Sequence, residues 1–247
     1  MKAKTVTAGV AACVAASFLI LGGFSSAALA QGAGIITHVA GTLSVQKTDG
    51  QKKLLGVQSA VASGDLLTTE AETYARVKFV DGAEVVLRPN SQMRIEDYRY
   101  PEAKPETGNA VLSMLRGGFR AITGLIGKAR PENVSVRTPT ATIGIRGTHL
   151  GGQICQGDCA GLSDAAGQPL ENGLHIDVVD GAIVVSNAAG KITVGAGQFG
   201  FVRDSKSSPQ LVPPGRGFQV GVPPGIARND TGGRGIGQNR DPECVTP

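Results

Sequence analysis

Cys155 and Cys159, four positions apart, are the sharpest chemical signal in this 247-residue sequence. They enclose Gln156-Gly157-Asp158, a polar stretch short enough for the chain to close on itself. Tetrahedral zinc needs four ligands. None of the three histidines, His38, His149 and His175, falls at metal-ligand spacing beside the pair. A thioredoxin-type redox centre has two residues between its cysteines, not three. The spacing therefore predicts a structural disulfide, which an oxidising compartment permits. Cys244 is left over, to stay free or to pair between molecules. The histidines, with Ser and Asp throughout the chain, supply the ingredients of a hydrolase. No Gly-x-Ser-x-Gly elbow accompanies them, and no Cys/His pairing is set by the sequence. Asp65 and Asp81 lie in Gly64-Asp65 and Asp81-Gly82, which read as turns with the carboxylates accepting local backbone hydrogen bonds. A calcium loop would show a ligand pattern that is missing here. As catalysts on a surface polymer, the two carboxylates would have to converge in a cleft with separated pKa values. Arg116 and Arg120 flank Gly117-Gly118-Phe119, either as an anion site or as solvated strand ends. No catalytic residue, metal ligand or cofactor is assigned.

The elements that must position these groups are short strands. In Tyr74-Ala75-Arg76-Val77-Lys78-Phe79, Ala75, Val77 and Phe79 share a face, and after Asp81-Gly82 the residues Val85 and Leu87 share a face of the returning strand. Asp-Gly between alternating runs signals a hairpin, and the same device recurs at Asp49-Gly50 and Asp180-Gly181. Further strands are expected at 35–39, 42–46, 93–96, 134–137, 140–146, 174–179, 182–187, 191–194 and 197–202. Only 109–114 reads as helical, stopped by Gly117-Gly118. Regularly spaced strands of this length predict an all-β fold, an antiparallel β-sandwich or roll. In the strand at 140–146, Ala141, Ile143 and Ile145 suit a core. Thr140, Thr142, Gly144 and Arg146 take the other face, where the glycines Gly144 and Gly147 leave room for a neighbouring segment. A partly buried Arg146 must find acceptors, and the turn carboxylates Asp65 or Asp81, or nearby carbonyls, are the expected ones. The alternative is a solvent-facing Arg146 that grips an anion.

Composition sets outer limits. Aromatics are 4% with no Trp, which disfavours a stacking platform for single-stranded nucleic acid. The 36 Gly and 13 Pro disfavour a helical bundle. Lys2 and Lys4 begin an apolar stretch that runs to Gly23 and ends in Ala28-Leu29-Ala30, a secretory leader with cleavage between Ala30 and Gln31. Cys13 lies too early in that stretch for a lipoprotein box. The formal charge is +4; without Lys2 and Lys4 the chain has 22 basic and 20 acidic residues, too balanced for polyanion binding. No second apolar run is long enough to span a bilayer, so the expected product is periplasmic or secreted, without a transmembrane helix once the leader is removed. From 203 to 247 there are seven Pro and eight Gly, with Val212-Pro213-Pro214-Gly215 repeated as Val222-Pro223-Pro224-Gly225. This segment reads as a disordered tail, with polyproline-II recognition as the sharper alternative.

Several stretches then fall into a known order. They are Gly41-Thr42-Leu43-Ser44-Val45, Val61-Ala62-Ser63-Gly64-Asp65-Leu66-Leu67-Thr68-Thr69, and Ala75-Arg76-Val77-Lys78-Phe79-Val80-Asp81-Gly82. Val86-Leu87-Arg88-Pro89-Asn90-Ser91, Leu115-Arg116-Gly117-Gly118 and Arg137-Thr138-Pro139-Thr140-Ala141-Thr142-Ile143-Gly144-Ile145-Arg146-Gly147-Thr148 follow. In order and spacing, the set resembles the FecR-type domain, named after a periplasmic regulator of ferric citrate uptake. Its signature positions here are Gly64, Asp65, Asp81, Gly82, Arg137, Thr138, Pro139, Arg146, Gly147 and Thr148. The expected organisation is a leader at 1–30, a FecR-like domain at 34–150, a strand extension at 151–202 and the tail at 203–247. The resemblance implies a non-enzymatic envelope module for binding, scaffolding or signal relay. It does not carry over a partner; the expected one is another envelope protein or a surface polymer, and not a nucleic acid. Regulators of this type join a cytoplasmic sigma-restraining segment and a membrane helix to the periplasmic part. With a leader at its start, this chain is expected to lack the cytoplasmic segment. The competing expectations are a secreted polysaccharide-directed enzyme using Asp65 or Asp81, and an adhesin assembling through exposed strand edges.

Overall fold

A computed structural model describes residues 32–227. The leader, the Ala30–Gln31 junction and Cys244 lie outside the described residues. Among the described residues there are fifteen strands. The first eight are β1 (Gly32–Ala40), β2 (Leu43–Gln46), β3 (Lys52–Leu55), β4 (Ala60–Ala62), β5 (Leu66–Thr69), β6 (Tyr74–Phe79), β7 (Glu84–Leu87) and β8 (Gln92–Arg99). A 14-residue strand, β9 (Asn109–Ile122), leads through the short helix α1 (Leu125–Ala129) to β10 (Val134–Arg137). Two more long strands follow, β11 (Thr142–Cys155) and β12 (Gly173–Asn187). The order closes with β13 (Gly190–Gly195), β14 (Phe199–Val202), β15 (Gln210–Val212) and a helical turn α2 (Pro224–Ala227).

The three long strands organise everything else. The first half of β9 pairs with β8 and β10, and its second half with β7 and β11. β11 changes neighbours in the same way, from β10 to β9, and β12 from β14 to β13. Two wings result, one running β3-β2-β5-β8-β9-β10-β11-β12-β13 and the other β4-β1-β6-β7-β9-β11-β12-β14-β15. Strands that switch wings must bend, and bulges supply the bend. Between Arg146 and His149 the β11–β12 register slips, with Gly147 at φ +59° and Gly181 at φ +78°. A Cβ on Gly181 would stand 2.5 Å from the Gly147 carbonyl oxygen. Asp180-Gly181 is therefore a bulge inside one strand and not the expected hairpin, because both strands continue through it. The other two Asp-Gly sites are hairpins, β2–β3 around Asp49-Gly50 and β6–β7 around Asp81-Gly82.

The fold is all-β with a mixed sheet: every pairing is antiparallel except β9–β10. The connection at 123–133, which contains α1, brings the chain back in the same direction, as a parallel pair requires. The segment at 109–114, expected as a helix, is the start of β9. Its buried Ala110, Leu112 and Met114 alternate along a strand, and Gly117-Gly118 lies within β9 as its bend. One core, which includes Val77, Leu87, Phe119, Ile143, Leu150 and Ile176, spans both wings. The expectation of a disordered tail from residue 203 is corrected over 203–227. There β15 pairs with β14, and Val220 and Ile226 are buried. This segment has no core of its own because it uses a face of the second wing instead.

The Cys155–Cys159 pair forms a disulfide with Cα atoms 5.3 Å apart, at the end of β11. So small a ring removes little chain entropy, about 2 kcal/mol by loop-closure arithmetic. Replacing both cysteines by Ala is expected to lower the melting temperature by only a few degrees. Collapse of the near-ultraviolet circular dichroism at room temperature would show that the bond holds the fold and not a local turn.

Candidate binding face

Strand alternation sends Ala75, Val77 and Phe79 of β6 into the core and leaves Arg76 on the opposite face. The registers then carry a row across the second wing. His38 pairs with Arg76, Arg76 with Val86, and Val86 with Arg120. The row continues from Arg120 to Gly151, to Asp177 and to Phe199. An outward face should be wet, yet Arg76, Arg120 and Asp177 are only 4%, 3% and 2% exposed. The cover is residues 217–226, laid across the row as a strap.

Each buried charge has a partner. Arg120 Nη2 lies 2.5 Å from Asp177 Oδ2, and Arg120 Nε donates to the Val220 carbonyl at 2.8 Å. Asp177 Oδ1 accepts from Val220 N–H at 3.0 Å, so one strap residue has both backbone groups held by the ion pair. Arg76 donates to the Ile226 carbonyl at 3.3 Å and to Thr37 Oγ1 at 2.9 Å. Gly151 creates the slot between Arg120 and Asp177, since a Cβ there would meet Asp177 Oδ1 at 2.3 Å and Val220 Cβ at 2.6 Å. Gly217 lies flat on the Phe199 ring, and Phe218 approaches His175 and Arg88. Val86 and Ile226 close the far end with Tyr74, Ile122 and Val222.

Electrostatics follow the burial. Burial and the neighbouring Arg120 cation push His149 down to about 4, against an opposing pull from Asp180. Arg120 Nη1 lies 3.2 Å from His149 Nε2, and guanidinium only donates, so this nitrogen is the acceptor of a neutral ring. Burial raises the Asp177 carboxyl, while Arg120 and the Val220 N–H pull it back; the net direction is up. A histidine whose folded pKa is lowered takes its proton more readily when unfolded. Its contribution is therefore intact above about 6.5 and is lost as pH falls toward 4. Asp177, raised, works in the opposite sense at the acid end. Urea titrations from pH 7 to 5 are expected to show falling stability in the wild-type chain and a flatter profile in His149→Gln. Equal slopes would remove His149 as the source.

The sequence-derived site residues fall elsewhere and shape turns. Gly64-Asp65 makes the corner before β5, where Asp65 Oδ2 accepts from Lys47 Nζ at 2.7 Å and Ala62 N–H at 2.9 Å. Asp81 is buried beneath the β6–β7 turn. It accepts from Tyr98 Oη at 2.6 Å, from Ala83 N–H at 3.0 Å and from Ile126 N–H at 3.2 Å. Gly82 follows it at φ +81°. Arg137-Thr138-Pro139 leads the β10–β11 turn, which Thr138 Oγ1 closes on Ala141. Thr148 is buried at the bulge and donates to the Ala182 carbonyl at 2.6 Å. Arg146 is exposed, close enough to Glu132 to influence its carboxyl, and bonds neither Asp65 nor Asp81. That expectation is corrected: Gly147 and Gly181 fill the bulge with backbone, and the two carboxylates are already engaged. Asp65 and Asp81 share no hydrogen-bond partner among the described residues. Of the pair flanking Gly117-Gly118-Phe119, Arg116 is exposed and Arg120 is buried against Asp177.

The sequence reading missed Asp177 as the partner of Arg120, and missed the buried pair of Arg76 with Glu84, 3.9 Å apart. The available signal was a charged residue centred in an apolar strand, as in His175-Ile176-Asp177-Val178-Val179. Among the described residues no group of three or more metal-ligating side chains gathers, and no helix is long and apolar enough to cross a membrane.

Fold and face together define an all-β protein with a buried charge pair under a strap formed by its own chain. Residues 65–167 match the family model described as FecR protein. A protein assigned as an anti-sigma factor from Parabacteroides distasonis has a crystal structure similar at TM-score 0.42 and 16% identity, covering 60% of this chain and 58% of that one. A cell surface anchoring domain is similar at TM-score 0.24 and 30% identity, over 25% of this chain and 80% of that one. The search of curated proteins gave no match.

Proposed function

We propose that this chain is an exported, non-enzymatic envelope module that binds another envelope protein or a surface polymer and relays that binding. The FecR match at 65–167 carries the reading. The use of Asp65 and Asp81 as turn anchors, each with its own donors, supports a binding role over the polysaccharide-directed alternative. Lys52 and Lys53 on the outer strand β3 work against the adhesin alternative, because lysines on an edge discourage strand addition. The leader at 1–30 supports a periplasmic or secreted location.

Two measurements test the reading. Intact mass of the exported protein is expected to begin at Gln31; a mass retaining residues 1–30, or lipid on Cys13, would overturn the location. Photo-crosslinkers placed on the strap-covered wing and on the opposite wing, in the full chain in intact cells, are expected to give a discrete adduct from one of them. Adducts from neither, with the protein present at normal levels, would remove the binding role.

A further inference from the structure

The strap behaves like a ligand. Phe218, Val220 and Val222 turn toward the face while Gln219 and Gly221 turn to solvent, the period of an extended peptide. The face reads its main chain, since Asp177 accepts the N–H of Val220 and Arg120 donates to its carbonyl. Such contacts do not depend on the residue's side chain, whereas the seats do: the Phe199 ring beneath Gly217, the slot over Gly151, and Val86 beneath Ile226. From Gly217 to Ala227 the strap carries no charge, matching a face whose Arg120 and Asp177 already balance each other. Hydrogen-bonding capacity is also left over. Glu84 Oε2, on a buried side chain beside Arg76, and Arg88 Nε, beside Phe218, have no hydrogen-bond partner among the described residues. Among the described residues the strap joins no ladder of the sheet; side-chain contacts and one backbone bond, from Ala165 N–H to the Gly217 carbonyl at 2.9 Å, hold it.

Resting on the reading of the chain as a binding module, we propose that Arg76, Val86, Arg120, Gly151, Asp177 and Phe199 form a peptide-binding groove. Residues 217–226 occupy it in cis. Its exchangeable occupant is an extended, uncharged segment of a partner protein with the same Phe-x-Val-x-Val spacing. The partner gains the main-chain bonds now made by Val220 and can add bonds to Glu84 and Arg88. Side-chain seats at alternate positions with main-chain hydrogen bonds between them are a recurring mode of extended-peptide recognition.

The test uses the full-length chain. Val220→Asp puts a carboxylate against Asp177 and is expected to release the strap, read as faster tryptic cleavage after Arg216 and lost amide protection at 217–222. A fluorescein-labelled peptide of residues 216–227 should then bind the variant saturably, and bind the wild-type chain at least tenfold more weakly because the cis strap competes. A scrambled peptide and a peptide carrying the same Asp should not bind. A released, folded variant that ignores the peptide would overturn the groove, as would equal binding of the scrambled peptide or a strap that stays protected. If Val220→Asp fails to fold, Phe218→Ala combined with Val220→Ala takes its place under the same criteria. Dimers of variant with wild-type chain in sedimentation would make a second copy the occupant and overturn the partner assignment. Peptide binding does not depend on the crosslinking result, so failure of the relay reading and failure of the groove remain distinguishable.

Discussion

Arg120→Ala or Asp177→Ala is expected to lower the melting temperature by roughly 6–20 °C, the largest loss from any single substitution on the covered face. Truncating one member of a buried pair strands the other charge, at about 3–5 kcal/mol, and a chain of this size loses about 2–4 °C per kcal/mol. Both side chains are nearly inaccessible, and each also holds a backbone group of Val220, so either truncation orphans more than one partner. Asp177→Asn, which keeps an acceptor for the Val220 N–H, should cost less than Asp177→Ala. The double replacement Arg120→Met with Asp177→Leu should recover much of the loss, because an apolar pair of similar volume leaves no stranded charge. A double-mutant cycle by thermal melting measures the coupling. Single losses below about 1 kcal/mol would mean that the pair behaves as a surface ion pair and that the strap does not seal it.

Asp81→Ala is expected to be nearly as damaging, for a different reason. It leaves three donors without their acceptor: the Tyr98 hydroxyl and the N–H groups of Ala83 and Ile126. Each buried donor left unmade costs about 1–3 kcal/mol, and the three are not additive, so roughly 3–5 kcal/mol is expected. The carboxylate joins three elements, the β6–β7 turn, β8 and the start of α1, so its loss loosens the connection that carries the chain into β10. Tyr98→Phe is the control. It removes one donor while Asp81 keeps its backbone partners, and the Phe79–Tyr98 ring stack survives, so about 1 kcal/mol is expected. Burial and the Asp81 carboxylate also push the Tyr98 hydroxyl well above the usual tyrosine range. A spectrophotometric titration to pH 11 should therefore leave Tyr98 un-ionised in the wild-type chain. Equal losses for Asp81→Ala and Tyr98→Phe would show that the backbone donors do not matter.

Much of the strand inventory was legible because local alternation reports burial directly: 74–79 and 134–137 coincide with β6 and β10. What local pattern cannot report is which neighbour a strand takes. Residues 109–114 hold helix formers, and only the β8 hairpin and the β10 ladder make them a strand. Asp180-Gly181 has hairpin chemistry, but Gly147 faces it across the ladder and turns the pair into a bend. Arg146 looked like the buried cation of its surroundings. Arg120 takes that place because the strap, about 100 positions downstream, supplies the cover. The composition of that strap, rich in Gly and Pro, argues against a core of its own and says nothing about docking on a core already built. The face thus depends on contacts between distant positions, and no window of sequence contains them.

The strap also gives the molecule an order in time. Arg76 and the Ile226 carbonyl it holds are 150 positions apart, and Arg120 and Val220 are 100 apart. The strap follows β15 by four residues, so it is the last part of this wing in chain order. Until it docks, Arg120 and Asp177 face water, where pairing is cheap and desolvation is not yet required. Their burial is deferred to the final step, when some ten residues close over charges that have already found each other. A refolding experiment should accordingly separate into sheet formation, seen by far-ultraviolet circular dichroism, and a later loss of solvent exchange at Val220.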